Sequence, residues 1–370
     1  MSRPISVVCA LLAIAACDTA GGPIAPPTGL SADRFGRPDI VVHPGGSIQA
    51  AVAGAAPGSV IRIEPGTYRE AVTVNTPRLA LVGALDPRGA GVVIENPGGA
   101  DNGITANASA QGFALVNVTV RGFDENGIKL SSVDGFLLSQ VTAVDNGEYG
   151  LYPVHSSNGV IERCRASGHD DTGIYVGQSH DVTIRQSVTF ANVNGIEVEN
   201  SKRVTAIAND TYDNVVGILV VLLPHLEDTV TSDVLLAGNR VHDNNHPNFA
   251  PAGDLASFVP TGSGILVVGA DRTKVEGNTV SGNQFTGIAV GSTLLLGLLA
   301  GLPPDYFADI EPNPDHDAIE ENVVTGNGTV ASPVPFLPAA DLLWDGSGTG
   351  DCWSANTFVT SAPADLPACQ

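Results

Sequence analysis

Alternation dominates the chain. In stretches such as His180-Asp-Val-Thr-Ile-Arg185 and Asn194-Gly-Ile-Glu-Val-Glu199, apolar residues recur at every second position between clusters of Asn, Asp and Gly, the pattern of short strands joined by tight turns. Helical spacing shows clearly once, where Ser47 precedes Ile48, Ala51, Val52 and Ala55; this predicts a short N-capped helix. The strands repeat. Gly followed by Ile or Leu occurs at Gly103, Gly127, Gly150, Gly173, Gly195, Gly217, Gly264 and Gly287, with gaps of 24, 23, 23, 22, 22, 47 and 23 residues. Two further columns keep the same period. One runs Val118, Val141, Cys164, Ser187, Asn209, Asn239, Asn278, Asn322, and the other Phe123, Asn146, His169, Asn192, Asn214, Asn244, Asn283, Asn327.

A repeat of this length is too short for a propeller blade or a helical pair, and the leucine-rich signature is absent. It suits one coil of three short strands and three turns. The predicted fold is therefore all-β: a right-handed single-stranded parallel β-helix, each coil rising by one strand spacing of ~4.8 Å. Alternate Val, Ile and Leu would fill the interior, Asn side chains would stack from coil to coil, and Gly would allow turn conformations that a Cβ obstructs. The helix after Ser47 is expected to cap one end. At the other, Trp344, Trp353 and a Cys352–Cys369 disulfide are expected to close the core.

Three insertions interrupt the coils, at 222–228, 246–262 and 292–315. Insertions in stacked repeats emerge as loops, often beside the binding face. The first and third leave just after a Gly-Ile strand, so they should flank one side of the prism. Outward positions on that side run Lys129, Tyr152, Tyr175, Glu197, Leu219, Leu266, Ala289, and two residues further on Ser131, Val154, Gly177, Glu199, Val221, Val268, Gly291. The face thus changes from aromatic and charged to apolar. The simplest role for the apolar insertions is to bury the Leu and Val strip; a substrate lid and a docking surface are the alternatives.

The net charge of −22 argues against a nucleic-acid partner. The opening "MSRPISVVCALLAIAACDTA" has a basic start, an apolar run too short to span a bilayer as a mature helix, and Ile14-Ala15-Ala16-Cys17 at its end. It looks like a lipoprotein signal over 1–16, with lipid on Cys17; an ordinary secretory signal is the alternative. Residues 17–39 form a Gly- and Pro-rich tether, and 40–370 the β-helix domain. The expected location is extracytoplasmic, on a membrane through the lipid anchor only, as a monomer. Export makes the Cys352–Cys369 bridge feasible.

Lys129, Tyr152, Tyr175, Glu197 and Glu199 are the candidate ligand face: flat rings pack on sugars, and carboxylates and lysine bond hydroxyls or uronates. Glu197 and Glu199 could also perform acid–base chemistry, though they share a strand and no facing acid is evident, and solvated strand residues would look the same. His155 follows the aromatic strand and is a candidate general base. His169, in "GHDDTG" beside Asp170 and Asp171, sits in the Asn column and reads as a structural substitute. His242 and His246 have metal spacing only on a helix, which the repeat contradicts. Asp315, His316 and Asp317 could hold calcium or solvate a turn, and the turn is favoured; no other metal or cofactor is called for. Cys164 lies in an inward column and reads as a small buried apolar residue.

The stretches "YGLYPVHSSN", "GIYVGQSHDVTIRQS", "NGIEVENS", "VVGILVVLLPHL", "VHDNNHPNFAPAGD" and "DLLWDG" resemble a family of bacterial parallel β-helix lipoproteins and secreted proteins, over about residues 40–350. The resemblance implies a pectate-lyase-like solenoid and an exported location, and carries no activity. Tyr149-Gly150-Leu151-Tyr152-Pro153-Val154-His155 is more distantly similar to the YG-x-D-P-H-D motif of alginate C5-epimerases; Tyr, Gly and Pro are shared, while Tyr152, Val154 and His155 replace Asp, His and Asp. The expectation is a protein that binds a carbohydrate or a neighbouring exported protein along one face. The alternatives are a lyase, epimerase or hydrolase acting on acidic polysaccharide, and a structural envelope component.

Overall fold

The computed structural model describes residues 35–334 and 336–370. The leader at 1–16, Cys17 and the tether as far as residue 34 lie outside the described residues. From Ile40 onward the chain winds through three parallel sheets of 12, 11 and 10 strands, and between the two ends every third strand in sequence joins the same sheet. This is the parallel β-helix that the 23-residue period predicts.

Register sets the interior. Ile128, Leu151, Ile174, Ile196, Ile218 and Ile265 pair in one column, and each is fully buried. Burying one such side chain is worth about 1.5–3 kcal/mol, and each coil adds several to one continuous core. The corners are held by side-chain ladders. Asn192, Asn214, Asn244, Asn283 and Asn327 each lend Oδ1 to the backbone N–H of the residue one coil below, at 3.0–3.3 Å. Asn209, Asn239, Asn278 and Asn322 do the same at a second corner. Turn N–H groups that would otherwise be buried without partners are thereby satisfied.

The repeat glycines serve a different purpose from the one expected. Gly173 and Gly195 have ordinary negative φ and are needed for space. A Cβ on Gly195 would lie 2.5 Å from the Gly217 carbonyl oxygen and 2.9 Å from Nδ2 of Asn214. The left-handed turn positions are shared about equally between other glycines, such as Gly168 and Gly238, and non-glycine residues such as Gln186, Ala208 and Asp213.

At the N-terminal end, helix α1 (Ile48–Gly54) buries Ile48 and Val52 against the first coils. Ser47 accepts from Ala50 N, and Glu70 accepts from the backbone N–H groups of Ile48 and Gln49, satisfying the first-turn donors. At the other end Trp344 and Trp353 pack with ring centroids 5.5 Å apart, and a Cys352–Cys369 disulfide ties the tail to the last coil. Cys164 is buried, and desolvation pushes its thiol up to about 12.

The insertions converge over the 11-stranded sheet. Helix α2 (Thr293–Ala300) begins the third insertion, capped by Ser292 and ended by Gly301 at φ +69°. Its Thr293 hydroxyl donates to the Leu222 carbonyl in the first insertion. His225 of that insertion meets Tyr306 edge-on and donates its backbone N–H to Asp309. The second insertion contributes the short 3-10 turn Leu255–Phe258, which also touches α2.

Candidate functional site

Where the aromatic half of the face meets the apolar half, three carboxylates converge. Tyr175, Glu197 and Leu219 are register neighbours on successive coils, as are Gly177, Glu199 and Val221. Asp171 comes from the turn before the Thr172–Gly177 strand. Its Oδ1 accepts from Thr172 Oγ1 at 3.0 Å and from Asn194 Nδ2 at 3.2 Å, and its Oδ2 from the Tyr149 hydroxyl at 3.0 Å. Asn194 Nδ2 also donates to Glu197 Oε2 at 3.2 Å, and the Thr172 hydroxyl bonds that same oxygen. Tyr175 donates to Glu199 Oε1 at 2.7 Å.

Burial governs the electrostatics. Desolvation is the largest influence on Glu197 and raises its carboxyl well above the usual range, with the charges of Asp171 and Glu199 adding to it. Glu199 is pushed up to about 7, mainly by desolvation, against the lowering effect of the Tyr175 hydrogen bond. Asp171 is raised for the same first reason. At neutral pH the cluster therefore holds protons that isolated carboxylates would have released.

Of the residues the sequence singled out, the structure brings Lys129, Tyr152, Tyr175, Glu197 and Glu199 to one side. The Tyr149 and Tyr152 rings stack and the Tyr175 ring packs tilted against both, with centroids 4.4–5.1 Å apart, and Lys129 Nζ stands 5.6 Å over the Tyr152 ring. Two expectations change. Tyr175 is only 4% exposed, so it is an inner hydrogen-bond donor, and the half-buried Tyr149 and Tyr152 are the rings a ligand can reach. His155 is exposed in the turn after the Tyr149–Val154 strand, at φ +51°, and no hydrogen bond or ion pair joins its ring to the carboxylates; the turn swings it off the strand face.

Asp171, Tyr149, Thr172 and Asn194 were missed as a group. They stand one and two positions before the repeat Gly, where the chain bends and the simple in–out alternation slips. Column alignment before the Gly, as well as after it, would have exposed them: Asn126, Tyr149, Thr172 and Asn194 are register partners.

Elsewhere, His169 is buried in the Asn ladder, with Nδ1 3.0 Å from the Asn146 carbonyl oxygen, and desolvation lowers it to about 4. His242 pairs with Asp210 and Asp243, and His246 with Asp213. The Asp315-His316-Asp317 group is split. Asp317 is buried, accepting from Thr273 N, whereas Asp315 sits at a parallel bridge between Asp271 and Thr349 and accepts from Thr349 N at 2.7 Å. Oxygens of Asp315, Asp271 and Glu311 lie within 4.8 Å of one another, a donor set suited to a hard cation such as calcium.

A hollow of about 240 Å³ opens over the carboxylates, lined by Tyr149, Asp171, Glu197 and Glu199 and overhung by Asp254 and Leu255 of the second insertion. Beside it a hollow of about 380 Å³ carries Asp124, Glu148, Asp170, Asp171 and Asp254. Among the described residues no basic side chain lines either.

A family model described as "Right handed beta helix region" matches residues 90–227 and 189–295. The chain belongs to the right-handed β-helix family. Among solved structures it is similar to the Azotobacter vinelandii mannuronan C-5 epimerase AlgE4 A-module, at 18% identity and a TM-score of 0.63, covering 85% of this chain and 84% of that one. It is similar to the DFA-IIIase from Arthrobacter chlorophenolicus A6 in complex with GF2, at 15% identity and TM-score 0.53, covering 86% and 84%. The periplasmic alginate epimerase AlgG gives 13% identity and TM-score 0.50, covering 87% and 84%. At these identities the likeness is one of fold. No curated protein matches the sequence.

Proposed function

We propose that this right-handed β-helix protein binds a carbohydrate chain along the Tyr152 face and cleaves a glycosidic bond in it by acid–base catalysis. The observation that carries this is the convergence of Asp171, Glu197 and Glu199 beneath one hollow, beside a reachable aromatic ring. Glu197, held protonated, would give its proton to the glycosidic oxygen as the bond from that oxygen to the anomeric carbon breaks. Glu199, ionised in part of the population near pH 7, would take a proton from the water that adds to the anomeric carbon. Lys129 and Tyr152 would position a sugar ring.

The acidic lining narrows the substrate. A uronate chain would meet seven acidic side chains with no lining cation to offset them, so a neutral sugar suits the hollows better. The similar folds named above include epimerases of mannuronan and alginate, which supports a carbohydrate ligand in general and not the choice of a neutral one. Export and lipid anchoring through Cys17 belong to the same proposal. The leader motif and the Cys352–Cys369 bridge support them, and palmitate labelling that survives Cys17→Ser would overturn the anchoring.

The test is to incubate the purified chain with a panel of neutral and acidic polysaccharides, scoring retention and new reducing ends separately. Turnover of a neutral glycan is expected, lost at least 100-fold in Glu197→Gln with retention kept. Retention without product in the unaltered protein would leave a binding protein, and co-purification of an exported protein in place of a glycan would name a different partner for the face.

A further inference from the structure

The apolar strip beyond Glu197 is covered but not filled. Under α2 lies a cleft of about 90 Å³ whose walls include Leu219, Leu266, Ala289, Leu295, Leu299 and Leu343. No titratable side chain lines it among the described residues, and its one hydroxyl, on Ser292, is already bonded to the Pro312 carbonyl. The gap has a local cause. Leu219, Leu266, Ala289 and Leu343 form one register column, and the small residue interrupts the leucines where α2 crosses. The cleft also adjoins the carboxylate hollow, since Leu219, Val221, Val259 and Leu296 line both.

A cover needs one apolar face. Helix α2 is apolar on both, carries no charged residue, and leaves Leu294 and Leu298 36% and 59% exposed. Such a helix marks a surface that meets apolar material.

We infer that the cleft is a subsite for a hydrocarbon chain and, resting on the carbohydrate reading above, that the substrate is an amphiphile: a neutral sugar at the carboxylates bearing an alkyl or acyl chain that runs under α2. A cavity of about 150 Å³ holds benzene, so the cleft as it stands takes roughly three or four methylene groups, with the rest of the chain passing along the leucines of α2.

Calorimetry on the purified full-length chain with three probes below their aggregation limits tests this: octyl glucoside, methyl glucoside and 1-octanol. Octyl glucoside is expected to bind at least tenfold more tightly than methyl glucoside, and Ala289→Phe, which fills the cleft, should erase the difference. If Ala289→Phe fails to fold, Leu299→Ala provides a second arm, enlarging the cleft and shifting preference from octyl toward dodecyl glucoside. Octanol binding that Ala289→Phe abolishes, with neither glucoside bound, would uphold the hydrocarbon subsite and sink the sugar reading. Equal binding of the two glucosides, both lost in Tyr152→Ala, would overturn the subsite and keep the sugar reading.

Discussion

The Tyr175 hydroxyl donates a 2.7 Å hydrogen bond to Oε1 of Glu199, one coil above it. That bond stabilises the ionised carboxylate and partly opposes the desolvation that raises it. Tyr175→Phe removes the donor and keeps the packing, so Glu199 should release its proton at higher pH than in the unaltered protein. In a pH–rate profile the limb set by Glu199 is expected to move upward, with the fold intact by circular dichroism. A limb that stays in place would show that Glu199 is not the group reporting.

The same carboxylate should make the protein less stable as pH rises. Glu199 titrates near 7 when folded, against an ordinary value of 4.5. Below 4.5 both folded and unfolded chains carry the proton, and the group contributes nothing. Between the two values the unfolded chain has released it while the folded chain keeps it, so stability falls by up to ~1.4 kcal/mol per pH unit, about 3 kcal/mol in all. Glu197, raised mainly by desolvation, adds to the decline in the same direction. Urea midpoints at pH 5 and pH 8 should therefore differ, and Glu199→Gln should shrink the difference. An unchanged difference would mean that the buried cluster does not govern it.

What could be read from the sequence followed from translation symmetry. A parallel solenoid places residues one period apart in contact, so the columns through Ile174 and Ile196, and the juxtaposition of Tyr175 with Glu197, came from counting. The site itself was half visible. Glu197 and Glu199 lie on the regular part of their strand, whereas Asp171 acts from a turn, where side-chain direction depends on local dihedrals that the period does not specify. His155 misled for the same reason: it follows the strand in sequence, but its positive φ turns it away. The fate of the insertions was also out of reach of the repeat, because the contact of His225 with Tyr306 joins irregular segments far apart in the chain.

The Asn ladder gives a prediction about glycine. Gly195 faces the ladder from the strand, and a methyl group there would stand 2.5 Å from the Gly217 carbonyl oxygen and 2.7 Å from Thr189 Oγ1. Neither atom belongs to a flexible chain end, so the coil has to shift and the Asn192–Asn214 bond of 3.0 Å shifts with it. Gly195→Ala should cost about 2–4 kcal/mol, from overpacking and a strained buried hydrogen bond. Gly238→Ala is the control for space alone, since nothing lies within 4 Å of its added Cβ; its φ of +59° leaves only a smaller backbone cost. Equal urea midpoints for the two variants would contradict the steric account.

Reduction of the Cys352–Cys369 bridge should loosen one end and spare the rest. The bridge closes a loop 17 residues apart in sequence, a restraint worth about 3 kcal/mol on the chain-entropy account. It holds the tail in a position where Trp353 N donates to the Pro367 carbonyl and Cys369 N to the Trp353 carbonyl. Stacked repeats contact only their neighbours, so loss of this cover acts first on the last coil. The chain's two tryptophans, Trp344 and Trp353, both sit there, which makes their fluorescence a reporter of that end alone. In Cys352→Ser/Cys369→Ser the fluorescence transition should move to lower urea, while the far-ultraviolet circular dichroism midpoint, averaged over all coils, moves much less. Coincident transitions would mean that the prism unfolds as one unit and that the bridge stabilises the whole of it.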